Sequence, residues 1–182
     1  MNRRSLSFRV ALCGILGALM TALMLAGTLF PLATYLCPMA AGMLLIPVVW
    51  EYGDRTSGLL YLAVSLLSLF LAPDKEAAAL FLFFFGWYPV LRPRIQHIIK
   101  KPLRIVLKAV LFNGAVCAAY ALLLFVLVSP DLWAEAERAT VPFLLGLLAL
   151  GNVTFYFYDR CLLRMTDLYV VRLRAKLFPH SF

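Results

Sequence analysis

The chain predicts an all-α membrane bundle of six transmembrane helices with both termini in the cytoplasm. Three observations lead there. First, 64% of the 182 residues are hydrophobic and the mean hydropathy is +0.91, well outside the range of soluble domains. Second, charge is absent over long stretches: all 41 residues between Arg9 and Glu51, then Thr56–Pro73, Ala77–Leu91, Ala109–Pro130 and Ala139–Tyr158. A helix rises ~1.5 Å per residue against ~30 Å of hydrocarbon, so ~20 apolar residues make one crossing and the first stretch holds two. Third, the cations fall on one side. With the N-terminus in the cytoplasm, every Lys and Arg except Lys75 and Arg138 faces inward, while Asp74, Glu76, Asp131, Glu135 and Glu137 face outward. The positive-inside bias orients the bundle accordingly.

Span 1 covers about 10–30 and runs outward behind Arg3, Arg4 and Arg9. Its apolar run exceeds the 7–15 residues of a signal-peptide core and no polar stretch follows, so an uncleaved first span is expected. An uncharged outer turn with Pro31, Tyr35 and Pro38 leads into span 2, about 36–50. Pro38 and Pro47 bracket a segment too short for a straight crossing, which predicts a kink or a partly re-entrant path. Span 3 covers about 57–72 and span 4 about 77–91. Span 4 has only 15 uncharged residues, or ~22 Å of helix, and needs local thinning or burial against its neighbours. Trp87 and Tyr88 mark its inner interface.

Arg92–Lys108 alternates Ile95, Ile98, Ile99 and Leu103 with basic residues. It reads as an amphipathic helix on the inner leaflet, broken at Pro102, that contacts anionic headgroups or a partner. Spans 5 and 6 cover about 109–128 and 141–163, and Thr166–Phe182 reads as a second surface helix. There is no internal repeat, so residues 1–182 form one integral membrane domain.

Composition also bounds the chemistry. The net charge of +8 lies along the cytoplasmic rim, where its role is orientation and lipid contact, not nucleic-acid binding. No Lys, Arg, Asp, Glu or His occupies the middle of a span, which disfavours proton- or sodium-driven mechanisms. Paired carboxylates, a Ser-His pair and a metal constellation are all missing, so no catalytic residues, cofactor or metal are expected. His97 and His180 have no ligand partners at useful spacing. Gly53–Gly58 begins like a phosphate loop, but Leu59 stands where the lysine should be. Cys13, Cys37, Cys117 and Cys161 are widely spaced and suggest no disulfide framework.

Two patterns remain. Neutral polar groups within the spans include Asn113, Tyr120, Asn152 and Tyr156, with Ser65, Ser68, Thr154 and Tyr158. A buried amide needs partners. Asn113 and Asn152 therefore either bond each other or the backbone, or line a cavity with Tyr120 and Tyr156 for a small neutral or amphipathic molecule. In span 1, Gly14, Ala18, Ala22 and Ala26 recur every four residues, beside Ala11, Gly17 and Thr21. Such a smooth stripe lets another backbone approach closely, either inside this bundle or on a separate membrane subunit.

Ala18-Leu19-Met20-Thr21-Ala22 and Ala22-Leu23-Met24-Leu25-Ala26 both fit an Ala-x-x-x-Ala pattern. Together with the six-span plan, this resembles the substrate-binding S components of energy-coupling factor transporters of bacterial cell membranes. The resemblance implies that the stripe docks on a transmembrane coupling subunit and that separate ATPase subunits hydrolyse ATP. It also implies a substrate pocket opening outward, under the loops around Pro31–Pro38 and Asp74–Glu76. No vitamin-specific signature accompanies it, so no substrate residues carry over. The chain is also similar to the rod-shape-determining MreD proteins, six-span scaffolds that bind partners instead of ligands.

Overall fold

Proline, glycine and a few charged residues cut the apolar chain into helices. A computed structural model describes residues 3–28, 32–98, 101–126 and 140–174, and every regular element among them is helical. Helix α1 (Arg3–Leu25) closes in a 3₁₀ turn, Ala26–Thr28. Helices α2 (Ala33–Met43) and α3 (Ile46–Leu71) follow. Helix α4 (Lys75–Leu80) widens into a π-turn at Phe81–Phe85, and α5 spans Tyr88–Ile98. Helix α6 (Lys101–Ala121) widens at Leu122–Val126, and α7 (Val141–Leu168) at Tyr169–Leu173. Among the described residues, three stretches, Leu6–Thr28, Ile46–Leu71 and Pro102–Phe125, are long and apolar enough to cross a membrane. By length and composition this is a membrane protein.

The segment expected to kink between Pro38 and Pro47 breaks at Leu44–Leu45, between α2 and α3, with Pro47 in the first turn of α3. A sharper break lies inside α3, where Gly53 has φ 74° and ψ −178°, a backbone conformation that only glycine adopts without strain. The buried Ser57 hydroxyl donates to the Gly53 and Asp54 carbonyls (3.1 Å each) and steadies the restarted helix. After Pro73, one turn serves two helix ends. Asp74 Oδ1 accepts from the Ala77 N–H (3.0 Å) and caps α4. The Lys75 ammonium folds back to the Leu69 carbonyl (3.0 Å) and caps α3.

Side-chain neighbours set the helix directions. Arg9 reaches Thr56, Gly17 lies against Leu60 and Val64, and Gly27 lies against Asp74 and Ala77. Helix α1 and the second part of α3 therefore run parallel. Asn113 with Asn152 and Lys108 with Asp159 make α6 and α7 antiparallel. The core between them is aromatic. Phe84 packs on Tyr88, Phe112 and Phe155, and Phe112 stacks on Phe155 at 4.9 Å and 5°. Each such pair adds ~0.5–1.5 kcal/mol beyond its buried area.

The π-turn in α4 sits against this core. The Gly86 N–H bonds the Phe81 carbonyl (2.9 Å) instead of Leu82, so neighbouring side chains satisfy the displaced acceptors. Tyr61 donates to the Leu82 carbonyl, Trp87 to Phe83 and Tyr158 to Phe85. The segment expected as span 4, as short as span 2, is thus a widened helix buried against its neighbours: Phe81, Phe84 and Phe85 are all buried.

Two surface-helix expectations are corrected here. Residues 92–108, expected as an amphipathic helix on the inner leaflet broken at Pro102, are carried by α5 up to Ile98 and by α6 from Lys101, with Pro102 in its first turn, and they do not lie wholly on the surface. Arg92 and Ile95 are 5% exposed and Lys108 is 9% exposed, because Arg92 and Lys108 turn inward to a buried carboxylate. Thr166–Arg174 likewise continues α7 without interruption, and its Tyr169 and Arg174 side chains bond Glu51. The expected outer loop at 127–139, with Arg138 and three acids, and the tail beyond Arg174 lie outside the described residues.

Candidate functional site

Polar side chains converge at three levels of the bundle. At the end that carries Arg9, Asp159 of α7 is surrounded by donors. Its Oδ1 accepts from the Tyr88 hydroxyl (2.6 Å), Arg92 Nε (2.8 Å) and Lys108 Nζ (2.8 Å), and its Oδ2 accepts from Lys108 Nζ (2.7 Å). Helices α5, α6 and α7 are thereby tied through one carboxylate. Charge-assisted bonds of this kind are roughly twice as strong as neutral ones. Nearby, Glu51 Oε1 accepts from Tyr169 (3.2 Å) and Arg174 (2.9 Å), and Arg94 pairs with Asp54. Burial, with the Glu51 charge second, pushes the Tyr169 hydroxyl pKa upward and keeps it a donor.

At the opposite end, Glu76 of α4 joins three elements. Its Oε1 accepts from Tyr35 of α2 (3.0 Å) and from Tyr120 of α6 (2.6 Å). Burial and then the Glu76 charge push the Tyr35 pKa up to about 12, so this hydroxyl stays protonated. The two segments expected to cover an outward pocket, around Pro38 and Asp74–Glu76, are thus linked through one carboxylate.

Midway, Asn113 and Asn152 exchange two side-chain hydrogen bonds of 3.1 Å. Each amide also donates to its own helix, Asn113 to the Ala109 carbonyl and Asn152 to Leu148, both at 2.8 Å. The two amides therefore meet each other's needs. The four polar residues singled out in the sequence do not converge on one point. Tyr120 sits two turns beyond Asn113, on Glu76, and Tyr156 is 55% exposed beside Arg160.

The small-residue stripe of α1 turns away from the chain's own helices. Gly14, Ala18 and Ala22 are exposed, Ala26 is half-buried, and among the described residues no other helix comes within 4 Å of where a Gly14 Cβ would sit. The face of α1 that packs inward carries Gly17, Met20 and Met24 instead. The four cysteines are free. Among the described residues no group of three His, Cys, Asp or Glu side chains is placed to hold a metal.

No family model, curated protein or solved structure matches this chain. The sequence puts Arg92 and Lys108 on the cytoplasmic rim, singles out nothing at Asp159, and gives Glu76, Tyr35 and Tyr88 no binding role. A signal was present: Lys108 directly precedes one charge-free run and Asp159 directly follows another. On two antiparallel helices, opposite charges at those positions lie at the same depth.

Proposed function

We propose that this chain is the membrane-embedded capture subunit of a multi-subunit bacterial importer, taking a small neutral or amphipathic molecule from outside. The observation that carries the reading is the bare α1 stripe. Gly14, Ala18 and Ala22 are exposed, a surface that suits close backbone packing with a second membrane subunit. In this reading the chain crosses the cell membrane six times with both termini cytoplasmic. Asp159 and its partners then lie at the inner end and Glu76 at the outer one. The outer cluster of Tyr35, Glu76 and Tyr120 offers an arriving molecule a carboxylate and two hydroxyls. Coupling and ATP hydrolysis belong to separate subunits, and anionic headgroups line the basic inner face.

Replacing Ala22 with Leu tests the docking half. The variant should remain folded and monodisperse while co-purification of its membrane partner falls at least tenfold. A variant that keeps its partner removes the stripe from the proposal. The capture half is tested by recovering a stoichiometric small molecule with the wild-type chain, lost on Tyr120→Phe or Glu76→Gln.

One observation favours a second reading, a non-catalytic scaffold of the cell-shape or cell-wall machinery. Asn113 and Asn152 satisfy each other, so this amide pair makes no demand for a ligand. Co-purification of morphogenesis proteins with no bound small molecule would decide for it.

A further inference from the structure

We infer that the inner ends of α5, α6 and α7 hold a phosphate-bearing anion, bound by Arg92 and Lys108 with Arg104 at its rim. The Asp159 carboxylate already accepts four hydrogen bonds, from Tyr88, Arg92 and, twice, Lys108. It balances only one of the two buried cations. The imbalance has a definite location: Arg92 Nη2 is buried and has no hydrogen-bond partner among the described residues, although the side chain is only 6% exposed. An unmade hydrogen bond on a buried group costs roughly 1–3 kcal/mol, and more on a charged one. An acceptor is therefore missing at this point of the bundle.

Charge and shape select its chemistry. Arg92, Lys108 and Arg104, which lies near enough to Lys108 to act on its charge, outnumber Asp159 three to one. A neutral acceptor would fill the hydrogen bond and leave that excess. An oxyanion removes both deficits, and the planar guanidinium fork suits phosphate oxygens while Lys108 supplies a point charge. The cluster reaches the surface at Asp159 and Lys108, whose side chains are 17% and 11% exposed, which leaves a route for a headgroup or a free phosphate. The proposal narrows the headgroup contact of the basic inner face to one site, and it holds whether the chain captures a substrate or scaffolds partners.

The test uses the full chain in phosphatidylcholine nanodiscs. Phosphatidylglycerol is titrated into the discs in one arm and inorganic phosphate into the buffer in the other. Lipid retention is read by native mass spectrometry and stability by the thermal midpoint. Arg92→Lys keeps the charge and loses the guanidinium fork. Arg104→Gln leaves the buried cluster intact and so keeps the fold. Wild type should retain phosphatidylglycerol about tenfold better than Arg92→Lys and severalfold better than Arg104→Gln, with phosphatidylcholine retention equal in all three. A midpoint raised by inorganic phosphate in wild type but not in the variants assigns the site to a soluble phosphoryl group. Should folded Arg104→Gln match wild type in both arms, water completes the Arg92 shell and the inference is overturned.

Discussion

Glycines set how closely α2 and α3 approach the widened turn of α4. A Cβ at Gly42 would collide with the Phe85 carbonyl and the Tyr158 hydroxyl, and one at Gly86 would enter the Tyr61 ring. Backbone and a packed aromatic cannot yield as a flexible side chain would. Gly42→Ala is expected to lower stability by about 1–3 kcal/mol, the usual cost of overpacking. Gly14→Ala, with open space at its Cβ, should be neutral or mildly stabilising because Ala is the better helix former. Thermal midpoints in one detergent compare the two.

Charge makes a second prediction at the same scale. Asp159→Ala removes the carboxylate that Arg92 and Lys108 share and should cost about 3–5 kcal/mol. Lys108→Met leaves Arg92 paired with Asp159 at 2.8 Å and should cost clearly less. Equal losses would mean that the carboxylate does not organise the cluster.

Among elements, the contact between α6 and α7 has a measurable core in the Asn113–Asn152 pair. Inter-helix hydrogen bonds in membranes contribute on average ~0.6 kcal/mol and at most ~1.7 kcal/mol. Asn113→Leu and Asn152→Leu should therefore couple positively within that range in a double-mutant cycle. Zero coupling together with lost ligand retention would instead make the amides ligand contacts. The amide residues and their spacing are legible in the sequence, as is the α1 stripe. Which way each faces is not. The repeat of small residues at every fourth position reads equally as an inward or outward face, and only the packing of Gly17, Met20 and Met24 against the bundle turns Gly14, Ala18 and Ala22 out.

For the whole molecule, the proposed orientation places Lys101 and Lys75 on opposite sides of the membrane. Membrane-impermeant amine labelling of intact cells should modify Lys75 and spare Lys101 until the membrane is opened. Labelling of both from the same side overturns the six-crossing plan. The widened turn of α4 matters at this scale too, because it seats the short fourth segment against α2, α3, α6 and α7 with its displaced carbonyls satisfied. π-turns often mark functional positions in helices, and here the turn lies between Glu76 and the Asp159 cluster.

Hydropathy and charge are properties of residues in order along the chain. For that reason the sequence alone determines that the protein is helical, apolar enough to cross membranes, bent between Pro38 and Pro47, and divided after spans that end near 50 and 72. It also shows where the cations gather. The chemistry depends on rotation about each helix axis, which no local pattern states. Only packing brings Asp159 to Arg92 and Lys108, 67 and 51 positions away, and Glu76 to Tyr35 and Tyr120. A charge at the edge of a span becomes a rim residue or a buried partner according to whether an opposite charge faces it at the same depth, and tertiary structure alone decides that.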